Sequence, residues 1–175
     1  LKEHLGDLST KVIETSSDFG IVVDPDVDRL AFIDEKGEMF GEEYTLVACA
    51  DYVLSKKKGN TVSNMSSTRA LRDVTEKHKG KYFTSAVGEV NVVQQMKTCN
   101  AVIGGEGNGG IIDPHLHYGR DSLIGTAFFL SLISECKLPV SELKKTYPEY
   151  FMSKGKIELE QSMRVDDLLE KIKEE

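Results

Sequence analysis

An apolar run, Ile21-Val22-Val23, passes directly into Asp24-Pro25-Asp26-Val27-Asp28-Arg29, and few folds tolerate that junction. A strand must end there, because three carboxylates cannot follow it into a core without partners. Side chains alternate along an extended segment, so Asp24, Asp26 and Asp28 are expected on one side of it. Like charges held that close repel unless a cation sits among them. Arg29 adds a rigid fork of donors suited to a phosphate. The junction therefore predicts a hard-cation site, with a phosphate-binding arginine beside it, at a strand's C-terminal end, where open α/β sheets bind ligands.

The rest of the chain alternates in kind. Leu5, Leu8, Val12 and Ile13 recur at helical spacing and predict a first helix ending near 16–18. Residues 19–23 read as a buried strand, 30–34 as a second strand, and Glu35-Lys36-Gly37-Glu38 as the turn after it. A new unit begins near Gly41. Helices are expected at 44–54, 67–78 (after a Ser/Thr cap), 87–96 and 123–136, and strands at 60–65, 82–85, 101–103 and 111–112. Beyond Pro148 the chain turns polar, with a strand expected at 157–159 and a helix at 165–173. This is the order of an α/β protein.

Composition excludes several classes. With 175 residues and a net charge of −7, the chain lacks the basic face that nucleic-acid binding requires. No signal peptide is visible. The longest apolar stretch, about Leu123 to Ile133, is interrupted by Gly125, Thr126 and Ser131 and falls short of a bilayer, so it reads as a buried core helix. Cys49, Cys99 and Cys136 are scattered, as buried thiols in a reducing, cytoplasmic compartment would be. A chain that opens on Leu1 within a helical pattern reads as an excerpt of a longer protein.

The acidic loop admits other chemistries. A calcium loop would use Asp24, Asp26, Asp28 and Glu35, but Arg29 stands where a sharp turn needs glycine. A haloacid-dehalogenase-like phosphatase would make Asp24 a nucleophile and Asp26 an acid/base, although that pattern continues with Thr or Val where Asp28 stands. A non-catalytic cation-binding module and a solvated acidic turn are the remaining readings. The second constellation is Gly104-Gly105-Glu106-Gly107-Asn108-Gly109-Gly110, set between two apolar runs. Its spacing is neither a dinucleotide fingerprint nor a P-loop. Glycines allow close backbone approach to a ligand, and Glu106 and Asn108 alternate out of the stretch, where they can bond vicinal hydroxyls or an amine. A plain hairpin would need only one or two glycines.

These two motifs, in this order, resemble the α-D-phosphohexomutase superfamily of phosphoglucomutases, phosphomannomutases and phosphoglucosamine mutases. Asn64-Met65-Ser66-Ser67-Thr68-Arg69 and Ala86-Val87-Gly88-Glu89 are similar to segments of its third domain. The resemblance implies an α/β fold with a mixed sheet packed between helices. It implies that residues 1–41 end a metal-binding second domain, 42–150 form a sugar-binding third domain, and 151–175 lead into a fourth. It implies Mg²⁺ on Asp24, Asp26 and Asp28, a phosphoserine contact from Arg29, and sugar contacts from Glu106 and Asn108. Implied partners are a hexose phosphate and the remaining domains of the parent chain, with no nucleic acid and no membrane.

The departures are equally informative. Ala86 stands where many members carry lysine, Gly110 where the sugar loop often ends in histidine, and Asn108 where serine is usual. With Tyr118-Gly119-Arg120-Asp121 following, the pattern is more similar to archaeal members and phosphoglucosamine mutases. Arg120 is a candidate to supply the missing cation to substrate. A surface salt bridge is the other reading of Arg120, and His115 and His117 read as loop polarity more readily than as zinc ligands. No Ser-His pair resembling the family's phosphoserine loop occurs, so these residues alone are expected to be inactive.

Overall fold

The computed structural model describes residues 5–153 together with Gly155, Val165, Leu169 and Ile172. The strand expected at 157–159 and most of the helix expected at 165–173 lie outside the described residues. The elements are α1 (Gly6–Glu14), β1 (Phe19–Val23), β2 (Leu30–Asp34), α2 (Glu42–Lys56), β3 (Asn60–Asn64), α3 (Ala70–Lys77), β4 (Tyr82–Ser85), α4 (Glu89–Cys99), β5 (Ala101–Glu106), β6 (Gly110–Ile112), α5 (Ser122–Cys136) and α6 (Val140–Lys145).

The main sheet has four strands in the order β4-β3-β5-β6. β3 runs parallel to both β4 and β5, and β6 runs antiparallel to β5. Helices cover both faces. Leu46, Val47 and Leu54 of α2, Leu71 and Val74 of α3, and Phe129 of α5 join one apolar cluster. Val92 and Met96 of α4 close the opposite face against Val62, Ala101 and Ile112. Register slips between Asn60 and Thr61, so Ala101 pairs with the first and Ile103 with the second. That bulge lets the consecutive Val102 and Ile103 both join the larger cluster. The chain leaves β3 for β4 on one side and returns to β5 on the other. A topological switch point thus lies between the C-terminal ends of β3 and β5.

β1 and β2 form a separate antiparallel ribbon. All five residues of β2 are buried, and Phe32 stacks on Phe129 of α5 with centroids 3.6 Å apart. β1 is not the buried strand its apolar sequence suggests: only Gly20 is buried, while Ile21 and Val23 are 39% and 40% exposed. The reason is topological, since β1 pairs with β2 alone and lies at the rim. α5 is likewise no buried core helix; Ser122, Gly125 and Phe129 are buried and Leu123 faces solvent. None of the described helices is long and apolar enough to cross a membrane. α3 starts at Ala70, not Ser67, because Ser67 bonds across to Asn64 and the Gly107 backbone. The short α6 has no periodic signal in the sequence. Contacts to the ribbon's turn hold it: Ser141 Oγ donates to Glu35 Oε1 at 2.5 Å, and Lys144 Nζ to the Met39 carbonyl at 2.7 Å.

Candidate functional site

The acidic loop is a tight turn, not an extended segment. The Val27 N–H donates to the Asp24 carbonyl at 3.0 Å, and Val27 itself takes φ 59°. The turn, not strand alternation, gathers the carboxylates. Asp24 Oδ1 accepts the N–H groups of Asp28 (3.1 Å) and Arg29 (2.9 Å). One oxygen from each of Asp24, Asp26 and Asp28 lies within 4.8 Å of the others. α5 holds the turn in place, because Ser122 Oγ donates to the Val27 carbonyl at 2.9 Å. Among the described residues this is the sole acidic, histidine or cysteine grouping compact enough for a metal. His117 instead bonds Asp121, and His115 lies against Lys57.

The environment suits a hard cation. Among the described residues, Asp28 Oδ1 is buried with no hydrogen-bond partner and only Arg29 Nε at 3.7 Å for countercharge, a shortfall that a cation would satisfy. Burial raises the Asp28 pKa, and the charges of Asp24 and Asp26 add to it against the pull of Arg120. At Asp24 burial also pushes upward, but the Arg29 and Asp28 N–H groups and the neighbouring aspartates outweigh it, so its pKa is lowered. A set of anionic oxygens gathered on one turn is a donor set that could hold a hard divalent cation.

The glycine stretch is mostly strand. β5 continues through Glu106, and only Gly107-Asn108-Gly109 make the turn into β6. Glu106 therefore does not point out of a loop. It is 6% exposed and stands at the end of β5, beside Asn64 at the end of β3, on the two sides of the switch point. Glu106 Oε1 accepts from Asn64 Nδ2 at 2.7 Å and from the Gly88 N–H at 3.3 Å. Oε2 faces Arg120 Nη1 at 3.3 Å. A carboxylate has about four acceptor positions, so one remains for a ligand.

Arg120 joins the two motifs. It contacts Asp28 through Nη2, Glu106 through Nη1, and Glu89 through Nε at 2.8 Å. Its side chain is 16% exposed and shared among three carboxylates, so it is not a surface bridge. Gly110 makes this possible, because a Cβ there would collide with the Arg120 stem. Asp121 anchors the next position: its N–H donates to the Ile111 carbonyl at 2.8 Å, and its carboxylate caps α5 through Leu123 and Ile124. Burial raises the Asp121 pKa, but the Ile124 N–H, His117 and the Leu123 N–H reverse that and lower it.

Arg29 and Asn108 meet across an open cleft of about 320 Å³ that Asp24 and Glu42 also line. The Arg29 side chain is 56% exposed, with Nε 3.4 Å from Asp24 Oδ2. The Leu30 N–H donates to the Gly109 carbonyl at 3.2 Å, which docks the end of the acidic loop on the glycine turn. All seven residues singled out from sequence thus fall in one neighbourhood. Asn64 and Glu89 were missed as site residues, although both lie in segments that resemble a known domain; their position at strand and helix ends was the available signal.

Fold and site define a switch-point α/β domain whose ligand edge is built from carboxylates and arginines. The chain belongs to the phosphoglucomutase/phosphomannomutase family, and residues 41–150 match that family's alpha/beta/alpha domain III. It is 32% identical to a phosphoglucomutase/phosphomannomutase of Thermococcus kodakarensis over 91% of the chain and 35% of the relative. It is also 32% identical to a probable phosphoglucosamine mutase of Methanopyrus kandleri over 85% of the chain and 33% of the relative. A family protein of Burkholderia thailandensis has the same fold, with TM-score 0.76 at 24% identity, covering 85% of this chain and 33% of that one. The chain spans about a third of the length of these relatives.

Proposed function

We propose that these residues form the metal loop and sugar-reading edge of a phosphohexomutase, an isomerase that interconverts hexose 1-phosphate and hexose 6-phosphate. One observation carries the reading: Arg120 ties Asp28 of the acidic loop to Glu106 at the switch point, so the two motifs make one site. Asp24, Asp26 and Asp28 would hold Mg²⁺, which supplies Lewis-acid neutralisation of phosphoryl charge when bound. Arg29 grips oxygens of the same phosphoryl group from the cleft wall. Asn108 lines that cleft and bonds sugar hydroxyls, and Glu106 accepts one through its remaining position.

In the proposed cycle a phosphoserine gives its phosphoryl group to the sugar monophosphate, and the bisphosphorylated sugar reorients and returns its other phosphoryl group. Positioning and charge stabilisation supply most of the acceleration in such transfers. The serine and the grip on the distal phosphate are assigned to the remaining domains of the parent chain, so these residues alone turn over no substrate. Three free thiols fit a reducing, cytoplasmic setting. The family assignment replaces the phosphatase alternative built on Asp24.

The test is a titration followed by amide NMR. With Mg²⁺ present, glucose, mannose or glucosamine 1-phosphate should shift the Arg29, Asn108 and Gly109 amides more than inorganic phosphate does. Equal shifts with phosphate alone would remove the sugar from the reading.

A further inference from the structure

The cluster around Arg120 is short of positive charge. Asp24, Asp26, Asp28, Glu89 and Glu106 place five carboxylates around two guanidinium groups. Arg120 divides its single charge among three of them. Its stem lies over Gly110, and residue 121 is pinned to β6 and to α5, so the fork cannot follow one carboxylate without releasing another. Asp28 is the shared partner: its Oδ2 sits on Arg120, and the same carboxylate belongs to the acidic loop's candidate cation cluster, with Oδ1 lacking a hydrogen bond and 3.7 Å from Arg29 Nε.

We propose that Arg120 is a positioning residue that couples cation binding at the acidic loop to the orientation of Glu106. The inference rests on the reading of Asp24, Asp26 and Asp28 as a cation site. A cation there takes charge from Asp28, and the guanidinium is left to Glu89 and Glu106. Its hold on Glu106 Oε2 tightens, which fixes the carboxylate while Asn64 and the Gly88 N–H hold Oε1. Coupling between two sites is reciprocal, so a hydroxyl ligand that settles on Glu106 favours the cation in return. Lysine cannot do this, because a point charge lacks the fork that spans separate carboxylates.

Mg²⁺ titration of the 175-residue chain, followed by amide NMR, tests the link without any turnover. In the wild type the amides of residues 24–29 shift, and those of Gly88, Glu106 and Gly107 shift with the same saturation curve. In Arg120→Lys the first set still moves and the second stays still. Glu89→Gln, which leaves the Asp28 and Glu106 prongs, keeps both sets moving. Movement of residues 24–29 alone in the wild type overturns the coupling and leaves the cation site standing. Movement of both sets in Arg120→Lys as in the wild type overturns Arg120 as the link. No movement at residues 24–29 overturns the cation reading and the coupling with it.

Discussion

The acidic ribbon and the four-stranded sheet bury their apolar residues in opposite ways. The sheet carries helices on both faces, and two apolar clusters close those faces. The ribbon has two strands, of which β2 is wholly buried and β1 mostly is not. A two-stranded hairpin is marginal by itself, and this one takes its core from the domain: Leu30, Phe32 and Phe40 sit among residues of α2 and α5. The tip of the ribbon can therefore hold three clustered carboxylates and a left-handed valine, because the ribbon is anchored by the cluster that Leu30, Phe32 and Phe40 share with α2 and α5. Charge and strain are tolerated where the anchor lies elsewhere.

The strongest way to break that comparison is Phe32→Ala. It removes the ring stacked on Phe129 and edge-on to Phe19 and Phe40. Truncating a buried phenylalanine costs about 3–5 kcal/mol. Urea unfolding should show one transition at much lower denaturant, with sheet and ribbon lost together. If hydrogen exchange instead shows the ribbon opening while β3 and β5 keep wild-type protection, the ribbon is an independent unit and the comparison fails. A smaller effect is expected of Gly109→Ala at the seam between the two regions. Gly109 has φ 87°, and a Cβ there would collide with the Leu30 carbonyl. Strain of this kind costs about 1–3 kcal/mol. The Leu30 N–H should lose exchange protection first, since its acceptor is the Gly109 carbonyl.

The seam also marks where sequence reading stops. Strand positions were legible, because 19–23, 30–34 and 82–85 are short apolar or β-branched runs between turn residues. The convergence of Asp24, Asp26 and Asp28 was legible as charge chemistry, but not its cause, which is a turn with Val27 left-handed. Glu106 was assigned the wrong direction because glycine looks like loop. Here the neighbours demand the glycines: Gly110 yields to Arg120, ten residues on, and Gly109 to Leu30, on another element. Arg120 was legible as a cation but its three partners were not, since Asp28, Glu89 and Glu106 lie far apart in sequence. Spacing reports neighbours along the chain, and this site is made of contacts across it.

A third prediction sharpens the ribbon's dependence through its other end. Glu35 at the turn accepts from Ser141 Oγ and, at 3.1 Å, from the Ser141 N–H of α6. Burial raises the Glu35 pKa, but the Ser141 hydroxyl, the Glu35 and Ser141 N–H groups and Lys36 outweigh it, so the folded value is lowered. A lowered folded value means stability that is present above the ordinary glutamate pKa and lost as pH falls through the folded one. Glu35→Gln should therefore cost about 1–2 kcal/mol near neutrality. That difference from wild type should shrink as denaturation is repeated below pH ~4.3. A gap that stays constant down to pH ~3 would show that the charge on Glu35 is not what holds α6 to the ribbon.

The smallest effect on the fold is expected at the tip itself. Asp26 is exposed and its neighbours are like charges. Asp26→Asn should leave metal-free stability within about 0.5 kcal/mol of wild type, because an exposed residue away from caps and cores contributes little. Any change should be a gain, since removing one of three clustered anions relieves repulsion. At the proposed cation site, Mg²⁺ affinity should move the other way. Loss of a residue that only supports a ligand costs roughly 10- to 100-fold, and loss of a ligand should cost no less. Calorimetric titration against denaturation of the same variant separates the two. If Asp26→Asn destabilises the metal-free chain as much as Gly109→Ala does, the tip contributes to the fold. The separation between a core that carries stability and a ribbon end that carries chemistry would then be wrong.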